Sequence, residues 1–279
     1  MVFSPIRERC ARLYSIFTLT LNRGRAWVDA FLQHLAMHRS VRAFAKREVE
    51  AGVLAQVYAA ASRCPSWNNA QNVTLIEVRE AARKAELARL CGGQEAVAQA
   101  PVFAVLLMDF HRTAEAAARH GRRQVAHEDV NGLLIGAVDV GIMLATLMAA
   151  ARAAGLAVCP VGGIRRELDA VIDLLALPPL TLPLAGVCLG YAAEPAAGPL
   201  KPRLPLDALR HAERYDRSRV GPALTAMDRD MAAYRQASGA APAPSWTDAV
   251  SSRYAAMPAY AGVARALRRQ GFRFPAFDM

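Results

Sequence analysis

Residues 132–151 read GLLIGAVDVGIMLATLMAAA, twenty positions with a single charge, Asp139. A run of that length can span a bilayer; otherwise it is a helix that protein must cover on all sides. An acid in mid-span is costly in lipid, and no second run of this kind occurs in a sequence otherwise patterned as globular. The stretch therefore predicts a helix over 128–154, buried all round, inside a core or against a second subunit. Asp139, and likewise Asp109, is read as structural rather than catalytic.

With 279 residues, 54% of them hydrophobic, the chain can bury a substantial core in one domain. We place that domain over 38–279, after a basic and partly helical N-terminal extension, 1–37. The formal net charge of +10 suits a polyanionic partner, and a phosphate-bearing cofactor meets that demand as well as nucleic acid or an anionic membrane does. Arg is scattered through the chain without a basic stripe interleaved with aromatics, which argues against nucleic acid. Five cysteines, odd in number and without a CxxC pair, indicate neither a disulfide framework nor a zinc site and fit a reducing cytoplasm. The N-terminus, MVFSPIRERC, is interrupted by Arg through Arg25 and is read as a solvated extension rather than a secretory signal.

Periodicity predicts helices over 26–37, 49–63, 80–90, 167–177, 222–237 and 245–270, the last opening on a capping-box-like Ser245 and Asp248. Strands are expected at 72–78, 101–108, 156–161 and 184–191; the second is apolar almost throughout, as in a central strand covered on both faces. The Arg- and His-rich segment 111–127 reads as a mobile or partly helical connection, and 192–202 as a loop rich in Pro, Gly and Ala.

His38-Arg39-Ser40-Val41-Arg42 packs two guanidiniums, an imidazole and a hydroxyl into five residues. That concentration of donors suits the charge and forked geometry of a phosphate monoester, although a solvated helix terminus has the same composition. Pro65-Ser66-Trp67-Asn68-Asn69-Ala70-Gln71 gathers hydroxyl and amide groups in one turn, suited to a flavin edge or to an ordinary Asx-rich turn. Val161-Gly162-Gly163-Ile164-Arg165 leaves a strand end bare of side chains, so that backbone amides can approach a flat ligand or an anion; a tight turn is the plainer reading. Lys201-Pro202-Arg203 fixes two cations on either side of a proline. Neither G-x-G-x-x-G nor a Walker A loop occurs.

Taken in order, HRSVR, PSWNNAQ, Gly92-Gly93-Gln94, GGIR, LPLAGVCLG, LKPRLP, SWTD and RRQGF resemble the nitroreductase superfamily over residues 38–273. The likeness is strongest to its oxygen-insensitive, NADPH-oxidising branch, which includes flavin reductases. The resemblance implies an α+β, three-layer fold with a central, mostly antiparallel sheet flanked by helices. It also implies an intertwined homodimer with FMN at the subunit interface, and NADPH or NADH as reductant. By position, His38, Arg39, Ser40 and Arg42 would hold the ribityl-phosphate end together with Arg203. Ser66, Asn68, Asn69, Gln71 and Gln94 would line the isoalloxazine with the Val161, Gly162 and Gly163 backbone. Lys201 would stand near the ring or the phosphate, and Arg165 would face substrate.

The implied chemistry is hydride transfer from the nicotinamide to the flavin, then two-electron delivery to a nitroaromatic, a quinone or free flavin, by a ping-pong mechanism. No catalytic side chain is expected, nor a metal. Two features depart from the family. The loop 236–244, QASGAAPAP, carries no cation where Arg residues are expected to read the 2′-phosphate of NADPH. Trp67 occupies a place of small residues, where it could narrow the acceptor pocket. A non-catalytic flavin-binding protein of the same fold and a flavoenzyme of oxidative chemistry are the alternatives.

Overall fold

The computed structural model describes residues 21–194 and 198–274; most of the N-terminal extension lies outside them. Contacts divide the chain after His38 into two units, Met1–His38 and Arg39–Met279. In the first, helix α1 (Leu21–Ala36) is followed by a last turn in which His38 N–H donates to the Leu35 carbonyl at 3.2 Å. It begins upstream of the expected residue 26.

The second unit runs α2 (Ala51–Ala61), β1 (Val73–Val78), α3 (Ala81–Leu90), α4 (Glu95–Gln99), β2 (Val102–Asp109), α5 (His111–Ala118), α6 (Val130–Ala153) and β3 (Ala157–Val161). It continues with α7 (Leu168–Leu174), β4 (Thr181–Gly190), α8 (Leu206–Leu209), α9 (Val220–Ala237), α10 (Trp246–Ala255) and α11 (Val263–Arg269). The strands form one antiparallel sheet in the order β1-β2-β4-β3. All eight residues of β2 are buried, as its unbroken apolar sequence requires of a central strand.

Strand alternation sorts the core into two layers, one on each face of the sheet. Val102, Ala104, Leu106 and Met108 of β2 pack with Leu54 and Val57 of α2 and with Val140, Leu147 and Ala151 of α6. Phe103, Val105 and Leu107 face the other way, onto Leu87 and Leu90 of α3, Val97 of α4 and Val171 of α7. The result is helix, sheet, helix. Gly136 lets α6 approach closely, because a Cβ there would run into the Met108 side chain.

Several boundaries differ from the expected ones for local reasons. The segment after β2 forms α5, which opens where Arg112 N–H donates to Asp109 Oδ1 at 3.2 Å. Strand β4 starts at Thr181, anchored by Gln270 Nε2, which donates to the Thr181 carbonyl at 2.7 Å. Helix 245–270 is broken in three by a turn at Pro258–Tyr260, since Pro disfavours the helical conformation of the residue before it. Ser245 still caps α10, accepting from Asp248 N–H at 3.1 Å.

Of the two covers expected for helix α6, a core and a second subunit, the chain itself supplies the first. Gly132, Gly136, Asp139, Val140, Leu147 and Ala151 are buried on one face, while Leu134 and Val138 on the other are 57% and 59% exposed. The core takes one face of this helix and, among the described residues, leaves a mostly apolar strip with Leu134, Ala137, Val138 and Ala145 uncovered. Truncating the fully buried side should be costly. Leu147→Ala is expected to destabilise the protein by about 2–5 kcal/mol, read as a lower denaturant midpoint at fixed protein concentration.

Candidate functional site

The polar turn that follows α2 is held in an unusual shape. Pro65 ends the helical path, and Asn68, Asn69 and Gln71 adopt φ of 48°, 55° and 54°, in the left-handed region that side chains other than glycine seldom enter. Ser66 Oγ accepts from Gln71 N–H across the turn at 2.9 Å. Asp139 of α6, 3% exposed, accepts from Trp67 N–H at 3.1 Å and from Asn72 Nδ2 at 3.2 Å. Arg112 Nη1 donates to the Gln71 carbonyl at 2.8 Å, and its Nη2 to Thr74 Oγ1 at 2.7 Å. Between this turn and α6 lies a cavity of about 310 Å³ lined by Ser66, Trp67, Leu134, Val138 and Asp139. The turn leaves Trp67 itself 54% exposed.

The basic cluster sits elsewhere. Val41 N–H donates to the Val158 carbonyl at 2.9 Å, laying the segment along the outer edge of β3; Ala45 N–H and Ala193 N–H then pair it with the chain leaving β4. The Arg39 guanidinium donates to the Pro199 carbonyl at 3.1 Å and the Gly198 carbonyl at 2.5 Å. That brings the residues just before the LKPRLP loop beside Arg39. Within the loop, Arg203 Nη1 donates to the Lys201 and Pro202 carbonyls, each at 3.0 Å. Ser40 and Arg42 are exposed, and the Arg42 charge is felt at Cys159 and Cys188, whose thiols burial pushes up. His38 closes the first unit while Arg39 opens the second, so the five-residue run is divided.

Gln94 and the Val161–Gly163 segment do meet. Gln94 Nε2 donates to the Cys91 carbonyl at 3.1 Å, and a Cβ on Gly163 would strike both that oxygen and Gln94 Nε2. Only glycine permits this approach. Arg165 is half-buried: it donates to the Leu184 carbonyl, and its guanidinium carbon lies 5.6 Å from the centroid of the Tyr260 ring. Arg235 turns into the cation-free loop, donating to the Ala243 carbonyl at 3.2 Å and the Pro244 carbonyl at 2.5 Å.

The sheet keeps the basic cluster and the amide turn apart. The basic cluster lies beyond β3, level with Val158, whose register runs through Leu189 to Val102 of β2. The amide turn precedes β1, level with Val73 and its partner Met108. Six residues along the strands make about 20 Å, and the step from one edge strand to the other about 14 Å, so the corners are on the order of 25 Å apart.

Against this geometry, the model of the nitroreductase family matches residues 35–191, and that of the family's C-terminal domain residues 201–275. The chain belongs to the nitroreductase family. Over 88% of its length it is 34% identical to a Bacillus subtilis FMN reductase [NAD(P)H], of which it covers 99%. It is also 35% identical over 66% of its length to the oxygen-insensitive NADPH nitroreductase of Salmonella typhimurium, covering 74% of that protein. NfrA2 of Bacillus megaterium superposes with a TM-score of 0.84 at 33% identity, covering 88% of this chain and 98% of that one. The α+β nitroreductase fold expected from the motifs is thus the fold observed.

Sequence reasoning missed Arg112 altogether and gave Asp139 no specific task. It also missed Glu50, which braces the segment beside the basic cluster. Arg47 Nη2 donates to Glu50 Oε1 at 2.8 Å and stacks over the Tyr191 ring at 3.8 Å, while Tyr191 Oη donates to Glu50 Oε2 at 2.7 Å. The Arg47 bond first, and the Tyr191 bond second, hold the Glu50 carboxyl down at about 2. Because the folded value lies below the ordinary one, the stabilisation is present above the ordinary carboxylate range and is lost as pH falls through about 2. Carbon-13 NMR should place the Glu50 midpoint near 2, and Arg47→Ala should move it up toward the ordinary range.

Proposed function

We propose that this nitroreductase-family chain is an FMN-dependent oxidoreductase that takes electrons from NAD(P)H and delivers them to nitroaromatics, quinones or free flavin. It does so as a homodimer in which each FMN lies between two copies. One observation carries the reading: the phosphate-type donors and the amide turn stand at opposite corners of one sheet, farther apart than one FMN reaches. A complete site then takes one corner from each of two copies. The uncovered apolar face of α6, with Leu134 and Val138, supplies the surface on which they meet. The relatives' names, FMN reductase [NAD(P)H] and NADPH nitroreductase, support the chemistry.

The residues fit the cofactor. Arg42, Lys201 and Arg203 are exposed, and among the described residues no carboxylate pairs with any of them. Together with Arg39 and Ser40 of the same unit they form the phosphate corner. Gly162 and Gly163 keep the backbone bare beside Gln94, and the turn contributes the hydroxyl of Ser66 and the amides of Asn68, Asn69 and Gln71. Bound FMN would supply the chemistry, a hydride taken from NAD(P)H and two electrons returned to the acceptor, so reductant and acceptor would alternate at these residues. The protein binds, orients and excludes water. Trp67 narrows the acceptor side, and Arg165, held by Leu184 and Tyr260, faces anionic or nitro groups. The four described cysteines form no disulfide, which supports a reducing compartment, the cytoplasm.

Arg39→Ala and Arg203→Ala are expected to weaken FMN binding by about ten- to a hundredfold each, since each removes a charged donor. The measurement is flavin absorbance per chain after dialysis, with circular dichroism unchanged; full flavin retention would overturn the phosphate assignment. Stopped-flow mixing of the yellow protein with NADPH and with NADH should bleach the flavin, and failure with both would remove the reductase reading. Val138→Asp places a charge in the middle of the apolar face. Sedimentation should then show monomers, with FMN lost in parallel.

A further inference from the structure

We propose that Asp139 and Arg112 are positioning residues of the flavin site: from outside the turn they fix the left-handed Ser66–Asn72 backbone that aims its amides at the ring. The inference rests on the flavin reading above. Residues with positive φ other than glycine persist only where their surroundings over-determine them, and this turn has three, Asn68, Asn69 and Gln71. Its internal bond, from Gln71 N–H to Ser66 Oγ, closes the loop without orienting it on the protein. The orientation comes from three bonds to other elements. Asp139 takes Trp67 N–H and the Asn72 amide, and Arg112 grips the Gln71 carbonyl.

Neither residue is explained by packing alone. Asp139 occupies a buried position on an otherwise apolar helix, where a carboxylate is unfavourable unless N–H donors surround it. Here those donors come from the turn. Arg112 is itself braced by Asp109, whose Oδ1 accepts its backbone N–H and whose Oδ2 lies 3.5 Å from its Nη2; Asp109 also accepts from Thr74, the next ligand of Arg112. The turn is thus clamped from α6 on one side and from the start of α5 on the other. Because α6 also carries the face assigned to the second copy, the clamp would tie the angle of the ring-lining amides to the dimer contact.

The test compares the full-length FMN-loaded protein with D139A, D139N and R112A. The readouts are FMN dissociation constant, visible flavin spectrum, flavin midpoint potential and thermal unfolding. D139A should raise the dissociation constant about tenfold or more, the effect of losing a hydrogen bond to a charged group, and should shift the spectrum and the potential. D139N should recover affinity to within about threefold of wild type. Its oxygen can still accept from Trp67, and its amide can donate to Asn72 Oδ1, a buried atom without a partner among the described residues, once the Asn72 amide turns over. R112A, altered at a half-exposed side chain, should shift the spectrum in the same direction and decides the matter if D139A fails to fold. Variants that lose thermal stability while keeping wild-type affinity, spectrum and potential overturn the inference, as does D139N being as impaired as D139A. Wild-type protein that binds no FMN overturns the flavin reading instead.

Discussion

The carboxylate of Asp139 is the contact on which the site's arrangement depends. It stands in the middle of a helix whose composition would let it sit in lipid or in a core, and it makes the helix specific to one environment. A carboxyl group removed from water needs hydrogen-bond donors to offset its lost hydration, and Trp67 N–H and the Asn72 amide provide them. Each of those donors in turn fixes one end of the amide turn. A single polar residue therefore settles both the seating of α6 on the sheet and the placement of the Ser66–Asn72 turn ahead of β1.

The sheet then sets the distance between the parts. In the order β1-β2-β4-β3 the strands at the two edges adjoin different groups, with the amide turn entering one and the basic segment flanking the other. No rearrangement within the chain can close that diagonal without breaking the central β2–β4 pairing, where every β2 residue is buried. The half-covered α6 belongs to the same logic. A soluble monomer gains nothing from a large apolar helix face in water, whereas a two-fold partner would bury that face and would supply the missing corner at the same time.

Much of this was legible in the sequence, for identifiable reasons. Strand β2 declared itself because a strand buried on both faces has no polar positions, and α6 because few polar residues interrupt it. The ordered motifs announced the family, whose model covers most of the chain. What stayed hidden was non-local. Arg112 looks like one arginine among many in a basic segment, and only the fold brings it to Gln71, 41 residues away in sequence. The 245–270 helix was overextended because periodicity on both sides of Pro258 outweighed the proline. The expectation of burial on all sides of α6 left open whether core or partner did the covering, a question that periodicity cannot resolve since both demand the same apolar surface.

At the basic corner Arg42, Lys201 and Arg203 form no ion pair with a carboxylate among the described residues. Arg39 is held by backbone carbonyls of Gly198 and Pro199, and Arg203 by those of Lys201 and Pro202. A carbonyl dipole orients a guanidinium while leaving its net charge intact, whereas a carboxylate would cancel it. The carboxylate that does lie nearby, Glu50, is engaged by Arg47 and Tyr191 instead, so it braces the segment from behind rather than neutralising its front. Mutual repulsion among Arg39, Arg42, Lys201 and Arg203 is the cost of that arrangement, and the dianionic phosphate proposed above would relieve it. In the proposed site, charge that weakens the free protein and strengthens the bound one would be differential binding.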